Sequence, residues 1–261
     1  MSRLARSSIL LALCLPVFAA PPVLEAPNRA AVPANQLAVA GNACGPAALL
    51  NAFRFGNPHW NRASDAIAGE NDKQRISQII RGPGMRPSSH IKGRNRWSRH
   101  GVNVADLHDM ANDLTRGHYL PEVGHEVLFR TGKETQEKLL ARTHRRLAIS
   151  MEKGLPPVLS VRRHVLRGKA WVALEAHFVT VTSVPRKLEK GTRSFEIGYI
   201  DPWGGRPARG TIRIPDRPVL ADAAKDSPCL EADFPAAGVG KKLVKKGESS
   251  VLAAAAALGR W

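Results

Sequence analysis

The chain has 261 residues and is strongly basic, because its 39 Lys and Arg against 22 Asp and Glu give a formal net charge of +17. A hydrophobic content of 43% with 23% charged residues excludes a disordered polyelectrolyte and a membrane bundle, and 22 Gly with 19 Pro exclude a collagen-like or linker-like chain. The length predicts one domain of roughly 200–220 residues, or at most two small ones, with a full hydrophobic core.

The first 26 residues have the order of a secretory signal. Residues 1–6 carry two Arg, residues 8–18 are almost wholly apolar, and Ala19-Ala20 or Ala26 offers small side chains for cleavage. The apolar run is shorter than the roughly 20 residues that a spanning helix needs, and no later stretch is apolar enough to cross a bilayer. We therefore predict a signal peptide over residues 1–26, export to the periplasm or the medium, and no transmembrane span.

Helical patterns follow in the next part of the chain. Helix-forming and apolar residues predict helices over 42–55, 62–80 (as one or two short helices), 103–114 and 134–151. In the first of these, Asn42 is predicted as the cap, Pro46 suits the first turn, and Gly56 ends the helix. Residues 82–99 are crowded with Gly, Pro, Ser and Arg, which predicts a loop.

Strand patterns come later. Short runs rich in Val, Ile, Phe, Thr and Tyr, bounded by Gly and Pro, predict strands over 157–161, 178–184, 194–200 and 211–214. Helices first and strands afterwards is the α+β order, so we predict one domain over 27–215. From residue 216 the pattern is loop-like, and the Ala-rich stretch 249–258 predicts a terminal helix or a frayed tail. Residues 216–261 are therefore predicted as a basic C-terminal extension whose order is left open.

The basic residues are spread through the chain. Such a positive field attracts nucleic acid, anionic lipid headgroups or acidic polymers of a cell envelope. Only two Tyr and seven Phe are present, and no alternation of basic and aromatic residues indicates base stacking. We therefore expect no specific nucleic-acid partner, while an anionic envelope polymer and a simple solvated surface both stay open.

Two cysteines, Cys44 and Cys229, remain after removal of the predicted signal. Secreted chains that depend on disulfides usually carry several. Two cysteines fit either one bridge between Cys44 and Cys229 or a single reactive thiol with a buried bystander, and both alternatives stay open at this point.

Three short strings carry groups of complementary chemistry. The string Cys-Gly-Pro-Ala begins at Cys44, where unpaired N–H groups and the helix dipole would stabilise a thiolate. His177 heads a predicted strand, which gives an imidazole the rigidity it needs to receive a proton from a thiol. The string Asp-Pro-Trp-Gly-Gly begins at Asp201, whose carboxylate could fix the tautomer of that imidazole. Each string alone is also typical of a buried cysteine, a solvated histidine or an ordinary Asp-Pro turn.

Taken together, the three strings resemble the papain-like cysteine peptidases. Cys-Gly-Pro-Ala and Asp-Pro-Trp-Gly-Gly look specifically like the bacteriocin-processing branch, cysteine peptidase family 39, and its secreted relatives, over about residues 36–205. The resemblance implies an α+β papain-like fold, in which an N-terminal helical part with the nucleophile helix packs on a C-terminal antiparallel sheet. It also implies an exported cysteine peptidase that cleaves a peptide or protein substrate through an acyl-enzyme.

The same resemblance implies a role for each site residue. Cys44 is the nucleophile, His177 is the general base and later the acid, and Asp201 is the orienting carboxylate. The family holds the oxyanion with the backbone N–H of the Cys and a Gln a few residues upstream. Here Gln36, eight residues before the thiol, is the first candidate for that amide, and Asn42 is the second.

Other groups add less. Trp203, in the third string, is expected to shield the His–Asp hydrogen bond and to contribute to substrate binding. The spacing of His108-Asp109, His118 and His125 matches no metal-binding motif, and the string Gly-Pro-Gly at 82–84 lacks the features of a phosphate loop. The sequence therefore predicts neither a metal site nor a cofactor.

A catalytically silent binding module for an anionic envelope partner is the alternative function. The distance of Gln36 from Cys44 and the Arg-rich loop favour it. That loop, which includes Arg94 and leads to His100, either lines a substrate groove or is exposed to solvent. The sequence also leaves hydrolysis and acyl transfer open.

Overall fold

A computed structural model describes residues 22–221 and 226–261. The helices are α1 (Cys44–Arg54), α2 (Pro58–Ala66), α3 (Asp72–Arg81), α4 (Val104–Arg116) and α5 (Gln136–Glu152). The strands are β1 (Val23–Glu25), β2 (Trp97–Ser98), β3 (Gly101–Val102), β4 (Gly124–Val127), β5 (Val158–Arg167), β6 (Ala170–Pro185), β7 (Ser194–Asp201), β8 (Arg206–Arg213), β9 (Leu230–Asp233) and β10 (Ser250–Gly259). Single 3₁₀ turns lie at Gln36–Ala38, Pro83–Met85 and Lys241–Leu243.

Six of the strands close into an antiparallel barrel. The order around the ring is β5, β6, β7, β8, β9 and β10, and β10 pairs again with β5. The ring can close because β6 is 16 residues long, so that it pairs with β5 over most of its length and with β7 near its end. β1 extends the sheet at the last residues of β6, and β4 extends it at the end of β10.

The papain-like α+β prediction is therefore wrong. The helices do not pack on an open C-terminal sheet, because the sheet is closed into a barrel. The chain after residue 216, which the sequence predicts as an extension, supplies β9 and β10, and these two strands fill the gap between β8 and β5. A boundary at residue 215 thus passes through the barrel rather than between a domain and its tail.

The Ala-rich stretch 249–258 forms strand β10, so the predicted helix or frayed tail is wrong. Most of its side chains are buried on both faces: Ala254 and Ala257 belong to the cluster that fills the barrel, whereas Ala253 and Leu258 pack into two other clusters. Alanine has the highest intrinsic helix propensity, but pairing with three other strands overrides it.

Helix α1 is the central element of the helical part. All of its residues except Arg54 are buried, and they pack with α2, α3 and α4 in an apolar cluster outside the barrel. Thr180 of β6 donates from Oγ1 to the carbonyl oxygen of Ala48 at 2.9 Å, which ties α1 directly to the barrel wall. Helix α5 instead contributes Leu residues to the cluster that fills the barrel.

The start of α1 lies so close to its neighbours that only glycine fits at position 45. A Cβ atom at Gly45 would lie 2.5 Å from Cγ1 of Val102 and 3.2 Å from Cδ1 of Leu107. We expect Gly45→Ala to lower the free energy of unfolding by about 1–3 kcal/mol, measured by urea denaturation, since the added methyl overpacks this contact. The double variant with Val102→Ala should recover most of that loss.

Gly117→Ala is the matched control for this substitution. Gly117 follows helix α4 with a helical backbone conformation, and a Cβ atom there would meet nothing within 4 Å. The control should therefore change the stability little. An equal effect of both substitutions would contradict the close approach at Gly45.

The other element predictions are largely confirmed. The helices predicted over 62–80, 103–114 and 134–151 correspond to α2 with α3, α4 and α5, and the four predicted strands correspond to β5, β6, β7 and β8. The predicted cap of α1 is wrong, because Ala43 occupies the N-cap position with no side-chain hydrogen bond.

Most of the predicted signal peptide lies outside the described residues, which begin at residue 22. The end of that segment forms β1, in which Val23 pairs with Pro185 and Glu25 with Ser183, and Leu24 between them is buried. Within residues 22–221 and 226–261, we find no helix that combines the length and the apolarity required to cross a membrane.

Candidate active site

Cys44 is the first residue of α1, and its side chain is buried with 3% exposure. Its Sγ donates a hydrogen bond to Oδ1 of Asn42 at 3.0 Å. The first turn of the helix contains no acidic residue, and the N-cap Ala43 offers no side-chain acceptor to the free N–H groups there. The positive end of the helix dipole therefore lies at Cys44.

His177 and Asp201 come together because their strands are neighbours in the barrel. His177 lies in β6 and Asp201 is the last residue of β7, and β6 and β7 pair from Thr180 and Ile200 onward. His177 Nε2 donates to Oδ1 of Asp201 at 2.8 Å, and both residues are buried, with 7% and 6% exposure. The backbone N–H of Trp203 donates to the same oxygen at 2.9 Å and holds the carboxylate in place.

The structure brings all three sequence-predicted residues into contact. The His177 imidazole is hydrogen-bonded to the Cys44 sulfur as well as to Asp201, and because Nε2 is used by the carboxylate, Nδ1 is the nitrogen left for the sulfur. Burial lowers the pKa of His177, but the hydrogen bonds to Asp201 and Cys44 outweigh burial and raise the pKa to about 10. The imidazole is therefore held in its protonated form at neutral pH.

Gln36 lies beside the turn that follows Asp201. Its backbone N–H donates to the carbonyl oxygen of Pro202 at 2.9 Å. Two residues earlier, the backbone N–H of Ala34 donates to Oδ1 of Asn51 in α1 at 2.6 Å. This segment thus connects α1 with the Asp201 turn. The Gln36 side chain is buried, and its Oε1 atom has no hydrogen-bond partner among the described residues. This oxygen is an acceptor, so it is available to a donor group of a ligand.

Asn42, the second candidate for the oxyanion amide, is placed differently. Its Oδ1 atom accepts the hydrogen bond from Cys44, so it presents an acceptor rather than a donor to the sulfur. Its backbone is fixed on both sides, since its N–H donates to the carbonyl oxygen of Arg99 at 3.3 Å and its carbonyl oxygen accepts from Nε1 of Trp97 at 3.0 Å. These contacts favour Gln36 over Asn42 as the donor.

A cleft of about 340 Å³ opens onto the sulfur. It is lined by Asn42, Cys44, Arg99, His100, Gly101, Val102, Leu174, Glu175, Ala176 and Phe178. One wall is thus the hairpin of β2 and β3, and the other is the segment of β6 that leads to His177. The sequence leaves the hairpin open as a groove wall, but it does not indicate the β6 wall, because a strand pattern does not reveal which edge of a strand lacks a partner.

The expected shielding of the His–Asp hydrogen bond by the Trp203 ring stays a prediction. The indole of Trp203 is exposed, with 58% of the residue accessible to solvent, and it lies on the turn after β7. The contact that it makes with the site is through its backbone N–H. A role for Trp203 in substrate binding stays a prediction.

The two cysteines are not bridged. Cys44 and Cys229 are both free thiols, so the disulfide alternative is wrong. Cys229 is fully buried in a small cluster with Val219 and Val251, and burial followed by the charge of Glu231 raises the pKa of its thiol to about 12. It is therefore the inert bystander of the pair.

The arrangement of the site residues is therefore the evidence on which a function can be argued. A sulfur at a helix start, a protonated imidazole and a buried carboxylate form one hydrogen-bonded series beside an open cleft. Comparisons of the chain with protein-family models, with curated proteins and with solved structures find no match in any of the three.

Proposed function

We propose that the protein is an exported cysteine hydrolase, specifically a peptidase, that cleaves amide bonds through an acyl-enzyme. The observation that carries the proposal is the contact of Cys44 with His177 and of His177 with Asp201. The closed barrel gives no support from fold, so the resemblance to the bacteriocin-processing peptidases rests on the motif strings alone.

The first half of the reaction uses the sulfur and the imidazole as an ion pair, in which Cys44 has given up the proton that it otherwise donates to Asn42. The Cys44 thiolate attacks the carbonyl carbon of the substrate and forms a tetrahedral oxyanion. When that intermediate collapses, the C–N bond breaks and Nδ1 of His177 delivers its proton to the leaving amine. The products of this half are a free amine and a thioester on Cys44, and the imidazole is left neutral.

The second half returns the enzyme to its starting state. The neutral His177 takes a proton from water, and the resulting hydroxide attacks the thioester carbon. Release of the carboxylic acid restores the Cys44 thiolate and the imidazolium. Asp201 keeps the ring oriented throughout by accepting from Nε2.

The oxyanion requires donors close to the sulfur. The backbone N–H of Cys44 lies in the first turn of α1, where N–H groups have no intrahelical partner. The side-chain Nε2 of Gln36 is the second donor in our proposal, which is supported by the burial of this residue and by its position beside the turn that follows Asp201. One such donor typically contributes about 3–4 kcal/mol to the lowering of the barrier.

An open strand edge beside the cleft favours a peptide as the substrate. Residues 174–177 of β6 pair with β5 on one side, whereas pairing with β7 begins only at Thr180. The described part of the chain supplies no strand to the other edge of residues 174–177, and Leu174, Glu175 and Ala176 line the cleft. An extended peptide can add to such an edge through backbone hydrogen bonds, which would carry its carbonyl group towards the sulfur.

Selective alkylation tests the proposal. Under native conditions at pH 7, iodoacetamide should label Cys44 once and leave Cys229 unmodified, because the first thiol borders a cleft next to an imidazolium and the second is buried with a raised pKa. Peptide mapping by mass spectrometry locates the label. The labelled protein should lose its hydrolysis of fluorescein-casein or of a fluorogenic peptide library.

Two variants give the matched controls. Cys44→Ala should abolish both native labelling and hydrolysis, whereas Cys229→Ala should retain both, and unfolding in urea should expose Cys229 to the reagent. An active Cys44→Ala variant, or a wild type that hydrolyses substrate without ever being labelled, would contradict the proposal.

The same protein preparation distinguishes the proposed hydrolase from two alternatives, a silent binding module and an acyl transferase. A silent module would bind an acidic polymer in a salt-dependent manner while Cys44 stays unreactive, whereas the contact with His177 favours a reactive thiol. Added amines distinguish transfer from hydrolysis, because an acyl group passed to the amine gives a new amide in place of the free acid.

A further inference from the structure

A second group of polar side chains lies where the loop before β2 meets helix α4. His90, from the loop before β2, meets Asp106 and Asp109 of α4, and one ligand atom of each lies within 4.8 Å of the other two. Asp106 and Asp109 are three residues apart, so the helix places them on the same face. The sequence predicts no metal here because His90 comes from a different element, and its distance along the chain matches no local motif.

The environment of Asp106 favours a cation in this group. Asp106 has 0% exposure, and one of its oxygens, Oδ2, accepts from Nδ2 of Asn103, the cap of α4. The other oxygen, Oδ1, has no hydrogen-bond partner among the described residues although it is buried. A buried carboxylate oxygen without a donor or a cation is unfavourable, and a metal ion would satisfy it.

We propose that His90, Asp106 and Asp109 bind one divalent transition-metal ion, for which Zn²⁺ is the best match. Three protein ligands with an imidazole among them are typical of zinc, whereas Mg²⁺ and Ca²⁺ prefer sets of oxygen ligands only. The two carboxylates also supply the negative charge that a divalent ion requires. The exposed position of His90 leaves room for water as a further ligand.

The neighbours of Asp109 both orient it and limit the affinity. His108 Nδ1 lies 3.1 Å from Oδ1 of Asp109, which fixes the carboxylate, and His90 Nε2 lies 3.1 Å from Oδ2, a hydrogen bond that the metal would replace. Arg96 Nη2 lies 3.8 Å from the same oxygen and opposes a cation, although its main partner is Asp113. We therefore expect weaker binding than at a closed site of four protein ligands.

A metal at this point would fasten the loop that leads to the cleft. The loop with His90 continues to Trp97, whose Nε1 atom donates to the carbonyl oxygen of Asn42 next to the nucleophile. It then reaches Arg99 and His100 in the cleft wall. Metal binding should accordingly raise the melting temperature of the protein.

Zinc titration of the full chain tests the site. The titrated protein should carry Cys44→Ala, so that the thiol and His177 cannot bind the ion instead. Isothermal titration calorimetry should show one Zn²⁺ per chain and a far weaker response to Mg²⁺. His90→Ala and Asp109→Asn should each weaken the binding by about tenfold to a hundredfold or more, since even outer-shell partners of a metal have effects of that size.

The control variant is His118→Ala, since His118 lies near Ala63 and Leu114 in a separate surface depression and should leave the affinity unchanged. Asp106→Asn keeps a side chain of the same shape next to Asn103 and should also weaken binding. If that variant does not fold, the exposed His90 still gives the decisive comparison. Absence of Zn²⁺ binding, or binding that persists in His90→Ala and Asp109→Asn, would overturn the proposal.

Discussion

His177→Ala should lower kcat/KM for fluorescein-casein by about 10⁴-fold or more while the protein stays folded. The imidazole transfers the proton in both halves of the proposed reaction, and members of such a hydrogen-bonded unit act together, so that the loss of one removes most of the effect of all. The substitution should also slow alkylation of Cys44 at neutral pH, because the thiolate loses its cationic partner. Circular dichroism checks the fold, and His118→Ala serves as the control.

The pH profile gives a second measurement on the same group. The pKa of His177 is about 10 in the folded protein against an ordinary value of 6.5. Since the protonated ring is the acid that releases the amine, kcat/KM should stay level through neutral pH and fall as the pH rises through about 10. The contribution of this group to folding stability should likewise be present in full below pH 6.5 and be lost as the pH rises through about 10.

Asp201→Asn separates the orienting role from the proton transfer. Removal of the carboxylate lowers the pKa of His177, so the fall in kcat/KM should move to lower pH, with kcat reduced by up to about 10⁴-fold. NMR titration of the His177 ring measures the same shift without substrate. An unchanged ring titration in Asp201→Asn, or full activity of His177→Ala, would exclude the proposed mechanism.

Ala254→Asp should destabilise the protein by about 3–5 kcal/mol, because it places an unpaired charge in the cluster that fills the barrel. Ala254 has 0% exposure and lies in β10, where it pairs with Val161 of β5 and with Leu230 of β9. Urea denaturation measures the loss. A frayed tail, as the sequence predicts for this stretch, would show no such effect.

Ala255→Asp is the matched control for this prediction. Ala255 lies at the irregularity between Ala254 and Ala256 where the register of β10 against β5 shifts, and it is only half-buried. A charge there can reach solvent and should be tolerated better. Equal stability of the two variants would contradict the placement of Ala254 inside the barrel.

The helical part of the fold is predictable from local sequence. The apolar spacing of α4 and α5, and Asn103 directly before α4, are signals contained within one or two turns of chain. Asn42 shows where such reasoning fails, because its side chain bonds to the Cys44 thiol instead of capping α1. A side chain that local sequence predicts as a helix cap can instead bond to another nearby group in the folded protein.

Closure of the barrel could not be predicted in this way. It depends on the pairing of β10 with β5 and β9 over long distances along the chain, and Ala residues in a strand carry no β signal. The motif strings identify Cys44, His177 and Asp201 because their neighbours are distinctive. They do not identify the cleft walls or His90, which depend on how separate segments meet.

The position of β10 has a consequence for the order of events in folding. Strand β10 is inserted between β5 and β9 rather than added at an edge, so the ring has a gap until residues 250–259 have left the ribosome. The strands β5 to β9 can already pair with their neighbours, but β5 and β9 lack β10 as a partner, and the long-range pairing of β10 with β5 is slow. Nascent chains of this protein should therefore stay open, and accessible to chaperones, until residues 250–259 have emerged.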